Sequence, residues 1–228
     1  MTADKHWNDY YTQNVFKSGK EPSPFLVDMA HRLQKGKALD IAMGEGTNSV
    51  FLALHGFNVK GFDISHVAVE RAQTLAKESG VAVEAKKADM DLYLMGLLEY
   101  DSIIMINFKP SLTRYYTEII RALKQGGTLL LEAPMNEEMI DIIPPEEAYR
   151  NYFFGSNEIL FHIRGLRILF YQEGLVHGKH MVQCLALKPL DKDAVKYNLF
   201  DMHSKQKDAG PSVQLKLAES FFKKKDDK

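Results

Sequence analysis

The chain is predicted to be an α/β protein built on a mostly parallel sheet that ends in an antiparallel edge hairpin. Three observations predict it. From residue 37 onward, short apolar runs alternate with amphipathic stretches, the pattern of strands joined by crossover helices. The first run, within ALDIAMGEGTNS (38–49), passes through a glycine turn into a helix start. Two later strand-like runs, LRILFYQEGL (166–175) and HMVQCLALKP (180–189), flank a turn at Gly178.

The elements follow in order. Strands are expected at KALDI (37–41), FNVKGF (57–62), VAVEAK (81–86), SIIMI (102–106) and TLLLE (128–132). Between the second and third, Ser65 stands where a helix N-cap would, Ala68, Ala72, Leu75 and Ala76 share one face, and Gly80 is the stop. In SLTRYYTEIIRALKQGG, Ser111 is expected to start a helix with a buried stripe of Leu112, Tyr116, Ile119, Ile120 and Leu123, and Gly126 to end it. The run LYLMGLLEY (92–100), with Met95, reads as core packing. Residues 134–158 carry Pro144 and Pro145 and no clean period, so they read as an excursion at a strand end, where sites are commonly shaped. One domain is expected over 1–190, with 1–30 as an opening segment. A polar tail is expected over 191–228, in which LKLAESFF offers a helix and the lysine and aspartate end is solvated.

Composition excludes several classes. With 228 residues, 45% of them hydrophobic, the chain can build one large domain. Lysine plus arginine number 29 against 30 acidic residues, so no global field draws nucleic acid or anionic lipid. No run approaches the ~20 apolar residues needed to cross a bilayer, and the start MTADKHWNDY lacks a signal-peptide core. The expectation is a soluble cytoplasmic protein with no membrane partner. Cys184 stands alone, cannot form an internal disulfide, suits a reducing compartment, and reads as a buried strand residue rather than a nucleophile.

The glycine turn carries the chemistry. A pyrophosphate-binding G-x-G-x-x-G turn begun at Gly44 and Gly46 needs a third glycine at position 49, where the chain has Ser49. Small residues at the carboxyl end of the first strand still let a ligand approach the backbone, and a nucleotide and a nucleoside fit equally so far. Three carboxylates separate them. Asp40 ends the first strand, Asp63 the second, and Asp89 follows the third. Asp63 has the spacing of a ribose-hydroxyl acceptor, about 20 residues beyond the turn. Asp40 would crowd a pyrophosphate with like charge, whereas it suits a cation. S-adenosylmethionine joins a sulfonium and an ammonium to an adenosine and has no phosphate.

At these residues the chain resembles the class I S-adenosylmethionine-dependent methyltransferases, and within them the small-molecule subgroup that includes tellurite-resistance and thiopurine methyltransferases. The resemblance spans about residues 7 to 189, through WNDYY, GKEPSPFL (19–26), LDIAMGEGTNSVFLA (39–53), FDIS (62–65), ADM (88–90), RALKQGGTLLLEAP (121–134) and LRILFYQEGLV (166–176). It implies a Rossmann-like, seven-stranded sheet with helices on both faces, and S-adenosyl-L-methionine as cofactor. Carried over residue by residue, it puts Asp40, Gly44 and Gly46 around the methionine part, Asp63 and Ile64 at the ribose and adenine, Asp89 with Met90 at the adenine, and Asn107 below the sulfonium. Ala42 replaces a glycine usual in the family; its extra methyl at the closest backbone approach implies weaker or displaced cofactor binding. Trp7, Tyr10 and Tyr11 read either as a lid over the cofactor, with Tyr11 within reach of the substrate, or as an arm packed on the core.

Other patterns carry less. His177 and His180 have a spacing open to two metal ligands, but no completing residue is near, so a hairpin turn is the reading. NFKP (107–110) only partly matches the tetrad of amino-methylating nucleic-acid enzymes. Methyl transfer is an in-line displacement, and soft thiolate, selenium or tellurium nucleophiles need no strong base. A hydroxyl or amine acceptor would want one, and the sequence nominates none. Lys109 and Arg114 stand near the expected mouth, as attractors of an anionic substrate or as solvated helix-start residues. A small-molecule acceptor is expected, with no nucleic acid. Two alternatives remain at this level: a non-catalytic binder of the same cofactor, and a nicotinamide-dependent oxidoreductase.

Overall fold

A computed structural model of the chain describes residues 2–16, 19–135 and 153–190. Seven strands form one sheet: β1 (Lys37–Ile41), β2 (Asn58–Asp63), β3 (Val83–Lys87), β4 (Tyr100–Ile106), β5 (Leu123–Pro134), β6 (Arg167–Val176) and β7 (Lys179–Leu187). Their order is β3-β2-β1-β4-β5-β7-β6. The first five are parallel; β7 runs antiparallel to both β5 and β6. The expected sheet and edge hairpin are both present. The hairpin turns at His177 and Gly178, both with positive φ, as a tight two-residue connection that matches strand twist requires.

Six α-helices accompany the sheet among the described residues: α1 (Ala3–Gln13), α2 (Pro24–Met29), α3 (Thr47–Leu54), α4 (His66–Glu78), α5 (Arg114–Ala122) and α6 (Glu158–His162). Strand parity divides the apolar residues between two faces. Leu39, Ile41, Ile103, Met105, Leu129 and Leu131 join Tyr116, Ile119 and Ile159 on one face. Ala38, Ile104, Ile106 and Leu130 join Leu26 and Leu52 on the other. Because central strands are covered on both faces, their sequences read as unbroken apolar runs. Asp40 shares parity with Ala38, so it belongs to the α3 side of the sheet.

Ser65 caps α4 as expected, its side chain accepting the Ala68 N–H, and Ala68, Ala72, Leu75 and Ala76 are buried. The helix before β5 departs from expectation. It begins at Arg114 rather than Ser111, Leu112 is exposed, and the chain passes from Ala122 directly into β5, so Gly126 ends no helix. In 92–100, Met95 and Tyr100 are buried, whereas Leu92, Leu94, Leu97 and Leu98 are exposed. Positive φ at Gly96 and Leu98 prevents this stretch from forming a helix that would bury them. Most of the excursion at 134–158, and the whole tail from 191 with its LKLAESFF stretch, lie outside the described residues. No helix among the described residues is long and apolar enough to cross a membrane.

Candidate active site

The carboxyl ends of β1 and β2 meet at the glycine turn. Ala42, Gly44 and Gly46 all take left-handed backbone, with φ of 55, 54 and 82°. The turn therefore needs residues that tolerate this region, and at Ala42 it uses one that pays for it in strain. Gly46 is fixed by space as well: a Cβ there would sit 2.6 Å from the Ala72 Cβ of α4.

Asp63 organises the turn. Its Oδ2 accepts the Gly44 N–H and its Oδ1 the Ser65 N–H, each at 2.9 Å. Burial pushes its carboxyl above the ordinary value, and these backbone donors oppose the rise. The Ile64 N–H is a third backbone donor, which leaves the carboxylate acceptor capacity for a ribose hydroxyl. Asp40 is wholly buried behind the turn, and Ser49 Oγ donates to its Oδ2 at 2.6 Å. Burial raises its pKa to about 7, with the Ser49 hydroxyl opposing and the Asp63 charge adding to the rise. Ser49 thus has a structural use that its reading as a missing glycine did not reveal.

Helix α1 lies over this end of the sheet. A Cβ on Gly44 would meet the Tyr11 hydroxyl at 2.8 Å. Burial, then the charges of Asp63 and Glu45, holds that phenol well above its ordinary pKa. Trp7, Tyr10 and Tyr11 form a ring cluster with centroids 5.3 to 6.0 Å apart. Asn8 accepts the Ser65 hydroxyl at 2.8 Å. The main latch is Arg71 of α4, which donates to the Tyr11 carbonyl at 2.6 Å and to Glu45 at 2.7 Å. Glu45 in turn accepts the Phe16 N–H. Neither Arg71 nor Glu45 was singled out from sequence, although Glu45 lies within the quoted turn.

The other expected residues lie at neighbouring strand ends. Ile64 is half-buried beside Asp63. Asp89 is half-buried just past β3 and accepts the Asp91 N–H at 2.9 Å, while Met90 packs on the main core. Asn107 ends β4 in left-handed backbone, exposed, its N–H bonded to the Glu132 carbonyl at 2.7 Å. Glu132 itself was missed: it is buried at the end of β5, held by Ser23 Oγ at 2.8 Å and Gln183 Nε2 at 2.6 Å. Lys109 donates to Glu158 and to the Phe153 carbonyl, both at 2.8 Å, so its charge is already matched. Arg114 is exposed and donates to the Tyr115 hydroxyl. Cys184 is buried in β7, and burial pushes its thiol up to about 12, which leaves it unreactive. No group of histidines, cysteines and acids among the described residues could hold a metal.

The donor set suits a cationic nucleoside. Asp40, Glu45 and Asp63 gather at the turn, and Arg71, the cation beside them, is committed to Glu45 and the α1 carbonyls. A pyrophosphate would meet like charge there, while a ribose hydroxyl would meet the remaining acceptor capacity of Asp63.

Residues 38–127 match a family model described as a methyltransferase domain. Over 102 residues, 44% of this chain, the sequence is 32% identical to the tRNA (uracil(54)-C(5))-methyltransferase of Pyrococcus abyssi, covering 23% of that protein. The chain spans less than half the length of the curated relatives it matches. TehB from Haemophilus influenzae shares the fold with a TM-score of 0.64 and 19% identity, over 80% of this chain and 67% of that one. So does a protein solved in work on the conversion of a disulfide bond into a thioacetal group during echinomycin biosynthesis, with a TM-score of 0.63 and 22% identity, over 85% and 96% of the two chains. The methyltransferase-domain match thus spans the glycine turn and the strand ends that carry Asp40, Asp63 and Asp89, and the two solved structures share the fold.

Proposed function

We propose that this protein transfers the methyl group of S-adenosylmethionine to a small-molecule acceptor, as expected of the subgroup it resembles. The observation that carries the reading is Asp63, fixed at the end of β2 by N–H groups of the turn and of the α4 cap, with acceptor capacity left for a ribose hydroxyl. In this reading Asp63 and Ile64 hold the nucleoside, Asp89 and Met90 the adenine edge, and Gly44, Gly46 and Ala42 flank the methionine part. Asp40 supplies negative charge from behind the turn, and Asn107 borders the methyl position. When bound, the cofactor supplies an electrophilic methyl on a sulfonium.

The chain's own work is alignment and exclusion of water. The Tyr11 hydroxyl lies against Gly44, its ring packs with Trp7 and Tyr10, and Arg71 holds its carbonyl, which supports the reading of α1 as a cover over the crevice rather than a bare arm. A small acceptor is supported by a near-zero net charge, which gives a polyanion no purchase, and by this covering helix. The curated relative named above is a tRNA methyltransferase covered to only 23% of its length, so the acceptor is argued from this chain alone. Residues 1–190 form the working unit.

Calorimetric titration with S-adenosylmethionine and with its demethylated product tests the reading. Binding of both, with methyl transfer to a member of a small-acceptor panel, is the expected result; no binding at millimolar ligand overturns it. A second reading, a non-catalytic binder, draws on the strained Ala42 and on the Tyr11 hydroxyl seated over Gly44. Binding without transfer to any thiol, amine or hydroxyl acceptor would favour it.

A further inference from the structure

Beyond β4 lies a second polar centre that the glycine turn does not explain. A cavity of about 160 Å³ is lined by Lys109, Ser111, Thr113, Tyr116, Glu158 and His162. It draws on the loop after β4, on α5 and on α6. The rings of Tyr116 and His162 stack with centroids 4.3 Å apart and planes within 4°. Among the described residues, Tyr116 Oη and His162 Nδ1 are the buried side-chain polar atoms without a hydrogen-bond partner. Tyr116 is 2% exposed and the His162 side chain 11%. An unpaired buried polar atom costs about 1–3 kcal/mol, so two in adjacent rings call for a ligand as their reason.

The other nitrogen of His162 is engaged. Nε2 lies 3.4 Å from Glu158 Oε1, at the long end of the range, as catalytic pairs often are before substrate arrives. Glu158 is fixed by Lys109 Nζ and by the Gly155 N–H at 2.8 Å. A carboxylate facing Nε2 selects the tautomer that carries its proton there, which leaves a lone pair at Nδ1. Burial and then the Glu158 charge keep the Tyr116 phenol protonated, so it donates. The cavity thus offers one donor and one base, with the Lys109 charge cancelled by Glu158.

We propose, resting on the methyltransferase reading, that this cavity holds the nucleophilic hydroxyl of the acceptor, with His162 as its general base. A hydroxyl fits by count: its proton goes to His162 Nδ1, one lone pair accepts from Tyr116, and the second faces the methyl carbon. A neutral amine has one lone pair and cannot do both. In the step, an oxygen lone pair forms the O–CH3 bond, and the C–S bonding pair stays on sulfur, which departs as a neutral thioether. The hydroxyl proton passes to Nδ1, and Glu158, shared between Lys109 and His162 Nε2, stabilises the imidazolium, so the three groups together carry a net charge of +1. The charged and titratable groups facing His162 are Glu158 on its own helix, Tyr116 from α5, and Lys109 through Glu158.

Two readouts test it. Nitrogen-15 NMR of the full chain, without cofactor, should show the Nε2–H tautomer of His162, and added phenol should shift the Nδ1 signal; a proton on Nδ1, or no shift at saturating phenol, overturns the proposal. Transfer assays should show phenols or alcohols methylated, and His162→Gln should lower kcat by 10²–10⁴-fold, the usual worth of a base, with unchanged affinity for S-adenosylmethionine. Tyr116→Phe removes an unpaired hydroxyl and should fold at least as well as wild type, with a raised KM for the phenol. Phenol transfer at wild-type rate in His162→Gln, or transfer to thiols or amines alone, overturns the base and leaves the methyltransferase reading intact. Failure to bind S-adenosylmethionine overturns both.

Discussion

Ala42 offers the sharpest test of the turn, because it holds left-handed backbone with a side chain that disfavours it. A non-glycine residue in that region costs roughly 1–2 kcal/mol. Glycine removes that cost but loses about 0.5–1 kcal/mol more backbone entropy on folding. Ala42→Gly should therefore stabilise the chain by about 0.5–1 kcal/mol, raising Tm by about 1–4 °C for a domain of this size. Ala42→Val places a branched side chain in the same backbone and should destabilise by about 1–3 kcal/mol relative to alanine. Urea unfolding and thermal melts of the three proteins give the order, and titration with S-adenosylmethionine gives the functional side. If the added methyl hinders close approach, the glycine variant also binds more tightly. A glycine variant no more stable than wild type, or a valine variant that melts with it, would refute the strain argument.

The remaining predictions concern the groups around the turn. Asp63→Ala should weaken S-adenosylmethionine binding more than tenfold by calorimetry, since it removes the acceptor for the Gly44 and Ser65 N–H groups together with the proposed ribose ligand; near-normal affinity would discard the ribose assignment. Arg71→Ala frees the α1 carbonyls and Glu45, so hydrogen exchange over residues 3–16 should accelerate at least tenfold, as the loss of hydrogen bonds worth about 1.5–3 kcal/mol requires, and unchanged protection would mean that α1 is held otherwise. Asp40 has its pKa raised from 3.8 to about 7, so the folded state binds its proton more tightly than the unfolded chain. The stability it confers is fully present below about pH 4 and is lost as pH rises through about 7. Asp40→Asn should flatten that decline in urea midpoints between about pH 4 and pH 7, the shift setting an upper limit of about 4 kcal/mol; parallel profiles for the two proteins would contradict it.

The sheet was readable because its central strands are buried on both faces, so KALDI and SIIMI appear as apolar runs with little to confuse them. The Ser65 cap was readable for a local reason: a side-chain oxygen three residues ahead satisfies a free helix N–H. Ser111 offered the same signal and failed. Residues 107–113 leave β4 as a strap along the cavity beside α5, so the helix turns only from Arg114 and Leu112 stays in solvent. The leucines of 92–98 misled by composition alone, since positive φ at Gly96 and Leu98 forbids the period that would bury them. His162 and Tyr116 are 46 residues apart and meet only through the packing of α5 and α6, so no spacing rule could have paired them.

The acids at the strand ends show how a sequence pattern and a physical selection rule become one statement. Alternation places Asp40 on the α3 side, where Ser49 receives it, and the same serine replaces the glycine that a pyrophosphate turn would need. Two features read separately in the sequence are thus one contact. The contact keeps a carboxylate behind the turn while Asp63 stands at its rim, with Arg71 neutralised by Glu45. At an effective dielectric of about 20, one unit charge 4 Å from another is worth about 4 kcal/mol. A sulfonium or ammonium gains a share of that energy beside an ionised Asp40, and a phosphate loses it. The raised pKa of Asp40 makes the selection conditional, because a bound cation favours the ionised carboxylate and must drive off its proton at low pH. Cofactor affinity should accordingly rise with pH through about 7 in the wild type and stay flat in Asp40→Asn. An affinity that falls over the same range would mean that the ligand at this turn is an anion.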